Sequence, residues 1–152
     1  TINMESTLDM RQAIDHYVYE TDTVDYIFMV AAVSDYIIKN PAKNKIKRDN
    51  NSLDIKFSKA PDLISNISGK TDAVIIGFAL ETHEGEYHAK EKLKNKNLDF
   101  IVLNYANEEN AGFESNTNHV IIFGNNNKKI ELSLDRKDRI ANQLINFIIN
   151  NK

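Results

Sequence analysis

Cysteine is absent from this sequence. A disulfide scaffold, a thiol nucleophile and a thiolate zinc site are therefore all excluded. Glycine is scarce: the five glycines, at 69, 77, 85, 112 and 124, include no pair at the spacing of a dinucleotide fingerprint or a phosphate-binding loop. Nucleotide phosphates, if any are bound, must be held by lysines and helix amino termini. Long apolar runs are lacking as well. Tyr26–Val33 and Ala73–Leu80 are the longest, well short of the ~20 residues a membrane-spanning helix needs. Nor does the chain open on a basic, apolar secretion signal. With 19 Lys and Arg against 22 Asp and Glu, the net charge is −3, which argues against nucleic acid as a partner. What remains is 152 residues, 41% hydrophobic and 27% charged, the balance of one folded domain. A soluble, cytoplasmic protein with no membrane contact is expected.

The periodicities alternate between two kinds. Thr1–Ser6 reads as a short edge strand running into a helix, with Ser6 as N-cap, Asp9 three residues on, and Met10, Ala13, Ile14, Tyr17 and Val18 on one face. Asp25–Val33 is nearly continuously apolar and is expected to be a strand buried on both faces. Residues 36–52 break the pattern with Lys39, Asn40, Pro41, Lys43, Asn44, Lys45, Lys47 and Arg48, a polar, basic loop. Leu53–Phe57 alternates as a short strand, and Pro61 suits the first turn of a helix reaching Ile67. Ala73–Leu80 and Phe100–Leu103 read as two more buried strands around a charged helix, Glu84–Lys96. His119–Phe123 and Lys129–Leu134 flank Gly124-Asn-Asn-Asn as a hairpin, and Ile140, Ala141, Leu144, Ile145 and Ile148 stripe a closing helix. Buried strands alternating with helices make an α/β domain with a mostly parallel sheet, helices on both faces and an antiparallel carboxyl-terminal hairpin. In such sheets ligands sit outside the carboxyl ends of the strands, here Ala31–Tyr36, Phe78–Thr82 and Asn104–Ala106.

Three constellations bear on chemistry. His83 and His88 are five apart, so on a helix their rings diverge by about 140°, a poor metal pair. Lys45-Ile46-Lys47-Arg48 reads first as a solvated run. Asp35, ten residues upstream at the end of a buried strand, changes that: a carboxylate at a strand end with mobile lysines beyond it can grip a Mg²⁺–triphosphate. Lys92 and Lys96, at i and i+4, share a helix face, although Glu86 and Lys90 make the same helix look merely solvated.

In order along the chain stand Ala31-Ala32-Val33-Ser34-Asp35-Tyr36, Lys45-Ile46-Lys47-Arg48, Pro61-Asp62-Leu63, Gly77-Phe78-Ala79-Leu80-Glu81-Thr82, Lys92-Leu93-Lys94-Asn95-Lys96-Asn97-Leu98-Asp99, Asn104, Gly112-Phe113 and Asn118. From about residue 2 to 148 this series resembles the phosphopantothenate–cysteine ligase family, in most bacteria the carboxyl-terminal half of the bifunctional coenzyme A biosynthesis flavoprotein. The resemblance implies a Rossmann-like three-layer domain and a homodimer. It implies that CTP activates the carboxylate of 4′-phosphopantothenate as an acyl-cytidylate, that L-cysteine displaces CMP, and that Mg²⁺ and cations neutralise the triphosphate. It also implies fusion, in the full-length protein, to a flavin-dependent decarboxylase. The family's nucleotide contacts fall on Met29, Val30, Ala31, Asp35, Lys45, Ala60, Pro61, Asp62, Leu63, Phe78, Lys92 and Lys96. Lys45 and Asp35 take the catalytic roles and Asp35 the metal.

Departures accompany the likeness. Ala60 stands where the family often has Asn, and Arg48 replaces a lysine, keeping charge but not shape. The family's amino-terminal third, with its Gly-Gly-Thr-type strand and Asn-x-Ser-Ser-Gly segment, is missing. Residues 1–152 are thus expected to be one truncated ligase domain, a piece of a longer polypeptide. Two other classes stand beside the enzyme: a non-catalytic nucleotide-binding or dimerisation fragment of the same fold, and a nicotinamide-type oxidoreductase, which the missing glycine fingerprint disfavours.

Overall fold

The computed structural model describes residues 1–21, 24–42, 44–48, 52–108, 111, 115–125 and 127–152. Helix α1, Thr7–Tyr19, begins at a complete capping box: the Asp9 amide donates to Ser6 Oγ at 3.2 Å and the Ser6 amide to Asp9 Oδ2 at 2.9 Å. Strand β1 is Tyr26–Met29, followed by β2 (Tyr36–Ile38), β3 (Phe57–Lys59), the short helix α2 (Leu63–Ile67) and β4 (Val74–Glu81). Helix α3, Gly85–Asn95, leads to β5 (Phe100–Tyr105), β6 (Thr117–Gly124), β7 (Lys129–Arg136) and the closing helix α4 (Lys137–Asn150).

Five strands form one sheet in the order β1-β4-β5-β6-β7, the first three parallel and the last two antiparallel. Strand alternation divides the core in two. Ile75, Ala79, Ile101, Leu103, Ile121 and Phe123 face Ile67 of α2 and Ala89 and Leu93 of α3. Val74, Ile76, Phe100, Val102, Val120 and Ile122 face Ile140, Leu144 and Ile148 of α4. Helices therefore cover both faces, the expected three layers. Gly85 permits the tight seat of α3: a Cβ there would lie 2.7 Å from the Tyr105 ring. No helix among the described residues is long and apolar enough to cross a membrane.

Several expectations need correction. Thr1–Glu5 forms no strand and pairs with none. The apolar run Asp25–Val33 yields only the four residues of β1, and these are not doubly buried, because β1 is the sheet's outer strand; Phe28 is 38% and Val30 62% exposed. Leu53–Phe57 is not a strand either. Pairing begins at Phe57, where β3 meets β2, a strand inside the region expected to be loop. The two make a separate antiparallel ribbon, extended by the Lys39 amide donating to the Lys56 carbonyl at 2.9 Å. Pro61 precedes α2 rather than entering its first turn, and Asp62 is the N-cap, its Oδ1 accepting from the Ser65 amide at 3.1 Å.

Candidate functional site

Parallel strands β1, β4 and β5 release their chains at one edge of the sheet. Met29 lies beside Gly77 in the β1–β4 register, so the segment Met29–Ala31 leaves the sheet next to Phe78. At the neighbouring exit the Ala106 amide donates to the Glu81 carbonyl at 2.8 Å, fixing the end of β4 against the end of β5. One strand further on, Asn118 of β6 donates its side-chain amide to Asn104 Oδ1 of β5 at 2.8 Å, joining two residues of the family-like series. Gly112 and Phe113 lie outside the described residues.

The β2–β3 ribbon starts from this edge and returns to it. Its base is closed by the Ala60 amide donating to the Asp35 carbonyl at 2.8 Å. Asp35, more than twenty residues away in sequence, is thereby set beside the Ala60-Pro61-Asp62-Leu63 turn. Leu63 is buried and roots the turn in the core, while the Asp35 side chain is exposed. Asp62 does two things at once: it caps α2, and its Oδ2 receives Lys96 Nζ at 3.0 Å. Desolvation works against its charge, yet the Ser65 amide and Lys96 outweigh it and hold the carboxyl below its ordinary range.

Lys92 reaches the other way. Its Nζ lies 2.6 Å from Glu81 Oε1, at the end of β4. The two lysines, expected to share a helix face, each contact a carboxylate of their own. Spacing alone does not foresee this pairing, since Glu81 stands eleven residues away on another element. One signal was available: Ile75, Gly77 and Ala79 form the β4 row that faces α3, and the next member of that row is an acid.

Lys45 is not brought to the others. It is exposed between the two ribbon strands, as are Ile46, Lys47 and Arg48. Two cavities, of about 170 and 480 Å³, lie elsewhere, the first against the amino ends of β4 and β5 and the second between α3 and the β6–β7 turn, and neither touches a candidate residue. The first is lined by groups already bonded to one another, such as Asp99 Oδ2 with the Ile75 amide at 2.8 Å. A site built from the candidate residues is therefore an open strand edge that carries two lysine–carboxylate pairs and is flanked by a ribbon.

A second charge array crosses the α3 side of the sheet. His119 of β6 offers Nδ1 to Glu108 at 2.8 Å and Nε2 to Glu131 of β7 at 3.0 Å. Beyond it, Lys129 Nζ contacts Glu86 of α3 at 2.7 Å. Desolvation opposes the imidazolium, but the two carboxylates prevail and raise the His119 pKa. A raised folded value means that the stabilisation is complete below the ordinary imidazole range and is lost as pH climbs through the raised value. Urea unfolding of wild type and His119→Gln should thus differ by about 1–2 kcal/mol near pH 6. The gap should narrow as pH rises. A gap constant across that range would show that His119 is held neutral.

Comparison with known proteins puts this arrangement in context. Residues 1–151 match the family described as DNA/pantothenate metabolism flavoprotein C-terminal domain. The chain is 38% identical over 153 residues to the coenzyme A biosynthesis bifunctional protein CoaBC of Haemophilus influenzae, covering 97% of this chain and 36% of that protein. It is 32% identical over 148 residues to the CoaBC of Bacillus subtilis, again over 97% of this chain and 36% of the relative. The chain thus spans about a third of the curated relatives it matches. Among solved structures, the C-terminal domain of a coenzyme A biosynthesis bifunctional protein CoaBC superposes with a TM-score of 0.75 at 28% identity, over 97% of this chain and 63% of that one.

Proposed function

The chain belongs to the family of the DNA/pantothenate metabolism flavoprotein C-terminal domain, and from that premise we propose that it forms part of an acid–amine ligase of coenzyme A biosynthesis. In this reading it joins 4′-phosphopantothenate to L-cysteine. A carboxylate oxygen of phosphopantothenate attacks the α-phosphorus of CTP and pyrophosphate leaves with the bonding electrons. The cysteine amine then attacks the acyl carbon of the cytidylate; CMP departs and the amine gives up a proton.

The observation that carries the reading is a strand edge joining Met29–Ala31, Phe78 and Asp35 to two lysines, in a chain that matches the family from end to end. An acyl-nucleotide step concentrates negative charge at the α-phosphorus, and fixed cations around it lower the barrier. Lys92 and Lys96 are held in place by carboxylates before any nucleotide arrives. Ala60, Pro61 and Leu63 supply a rooted turn whose backbone can meet the sugar or phosphates. Lys45 lies exposed in the span between the ribbon strands, apart from the other candidates; in this reading it closes over the reacting centre only when nucleotide is bound.

Among the described residues no group of three His, Asp or Glu converges as a metal cage. The exposed Asp35 carboxylate suits Mg²⁺ brought in by the triphosphate, an ion commonly held by one or two carboxylates together with phosphate oxygens and water. When bound there it would neutralise phosphate charge. The ribbon's outer face, with Tyr36 61%, Ile38 47% and Phe57 62% exposed, supports the homodimer, since two copies can bury it against each other. Fusion to a flavin-dependent decarboxylase belongs to the same proposal.

The test is pyrophosphate release by the full-length protein that carries this chain. Release should require phosphopantothenate and be faster with CTP than with ATP. A full-length protein that releases none with any nucleotide would end the assignment.

A further inference from the structure

We propose that Glu81 is a built-in counter-ion of the nucleotide site: it holds Lys92 while the site is empty and gives it up to phosphate oxygens when a nucleoside triphosphate binds, so that its charge sets the affinity. The proposal rests on the reading of Lys92 as a phosphate ligand. It concerns a residue that the resemblance does not assign.

Glu81 is the fixed partner of the pair. Its carbonyl accepts from Ala106 at 2.8 Å, it stands beside Tyr105 in the β4–β5 register, and its side chain is only 16% exposed. Lys92 is the movable partner, on an unbranched stem from α3 and 45% exposed. An apolar side chain would serve the core at this position as Ala79 does two residues earlier; Glu81 instead puts a carboxylate 2.6 Å from the ammonium. Lys96 is treated the same way by Asp62, at 3.0 Å. Both cations of the pair are therefore neutralised internally, each by an acid rooted in a different element. Asp62 has a second task as N-cap of α2. The Glu81 side chain has none among the described residues, which makes it the cleaner probe.

Exchange of partners is chemically reasonable. Ion pairs with this much solvent contact are individually weak, whereas a triphosphate offers several charge-assisted contacts at once. The carboxylate then remains next to a polyanion that it repels. A built-in counter-ion of this kind orders the lysine for capture and lowers final affinity, and the penalty must grow with the charge of the ligand. A merely structural ion pair predicts no such grading.

Calorimetric titration of the full-length protein with CTP and CMP, in wild type, Glu81→Gln and Glu81→Asp, separates the possibilities. Glu81→Gln, which keeps size and removes charge, should bind CTP about five-fold more tightly and CMP about two-fold more tightly, the scale expected for releasing one weak ion pair. Glu81→Asp keeps the charge and should stay within about two-fold of wild type. In a Lys92→Gln background the gain from Glu81→Gln should vanish. Unchanged or weaker CTP binding by Glu81→Gln, with wild-type affinity measurable, overturns the counter-ion role and leaves the nucleotide site standing. Wild-type protein that binds neither nucleotide overturns the site itself and this role with it. Should Glu81→Gln fail to fold, Glu81→Asp still decides: a CTP affinity raised more than about five-fold with the charge retained would contradict the proposal.

Discussion

Lys45→Gln in the full-length protein is expected to slow phosphopantothenate-dependent pyrophosphate release by about two orders of magnitude while leaving the fold almost untouched. Residue 45 is exposed in the span between the ribbon strands and forms no ion pair with a described residue, so its truncation should change stability by within about 0.5 kcal/mol. Removing one group that stabilises charge developing in a transition state costs on the order of 3 kcal/mol. The two effects therefore separate cleanly. Single-turnover pyrophosphate release reads the first and a thermal melt the second. Lys45→Arg keeps the charge with a different shape and should recover part of the rate. Rates near normal for Lys45→Gln would return the run from Lys45 to Arg48 to the status of a solvated loop. A large loss of stability, on the other hand, would show that the ribbon needs this side chain to form.

Residue 45 also shows where the sequence stops being legible. Layer architecture could be read directly, because the alternation of buried strands with a charged helix and a striped helix leaves few other packings. The capping box at Ser6 and the hairpin around Gly124 are local devices, and both appear as expected. Elements whose burial depends on their neighbours are not legible in this way. Tyr26–Val33 looks like an inner strand by composition, yet an apolar run cannot report which strands flank it, and β1 stands at the sheet margin. Tyr36–Ile38 is illegible in a stretch dominated by lysine and asparagine, because a three-residue strand has too little periodicity to see. The candidate site residues are those carried by a family-like series. Their partners were invisible: Glu81 with Lys92 and Asp62 with Lys96 are cross-element contacts set by how α3 lies on β4 and beside α2. Helix spacing said only that the two ammonium groups share a face, and left the counter-charges to be supplied by the tertiary fold. The same holds for His119, whose two carboxylates come from the segment after β5 and from β7.

Replacing Lys92 and Lys96 together with Gln is expected to weaken CTP binding by about 2–4 kcal/mol, since two charge-assisted contacts of roughly 1.5–3 kcal/mol each are lost and the release of Glu81 and Asp62 offsets part of the loss. Without nucleotide the effect should be small and opposite to what spacing alone implies. Like charges at i and i+4 repel by a few tenths of a kcal/mol, so removing them from a bare helix would stabilise it slightly. Here each lysine neutralises a carboxylate, at 2.6 and 3.0 Å, and the double variant leaves Glu81 and Asp62 uncompensated. A loss of about 1 kcal/mol or less in urea unfolding is therefore expected, as for other partly exposed pairs. CMP then locates the contacts along the ligand. An equal loss for CMP and CTP places the ammonium groups at the α-phosphate or sugar; a loss confined to CTP places them at the β- and γ-phosphates. Unchanged affinity for both nucleotides, together with the same small loss of stability, would make the two pairs structural struts between α3, β4 and α2. The acyl-nucleotide chemistry would then have to be sought with other cations, Lys45 first among them.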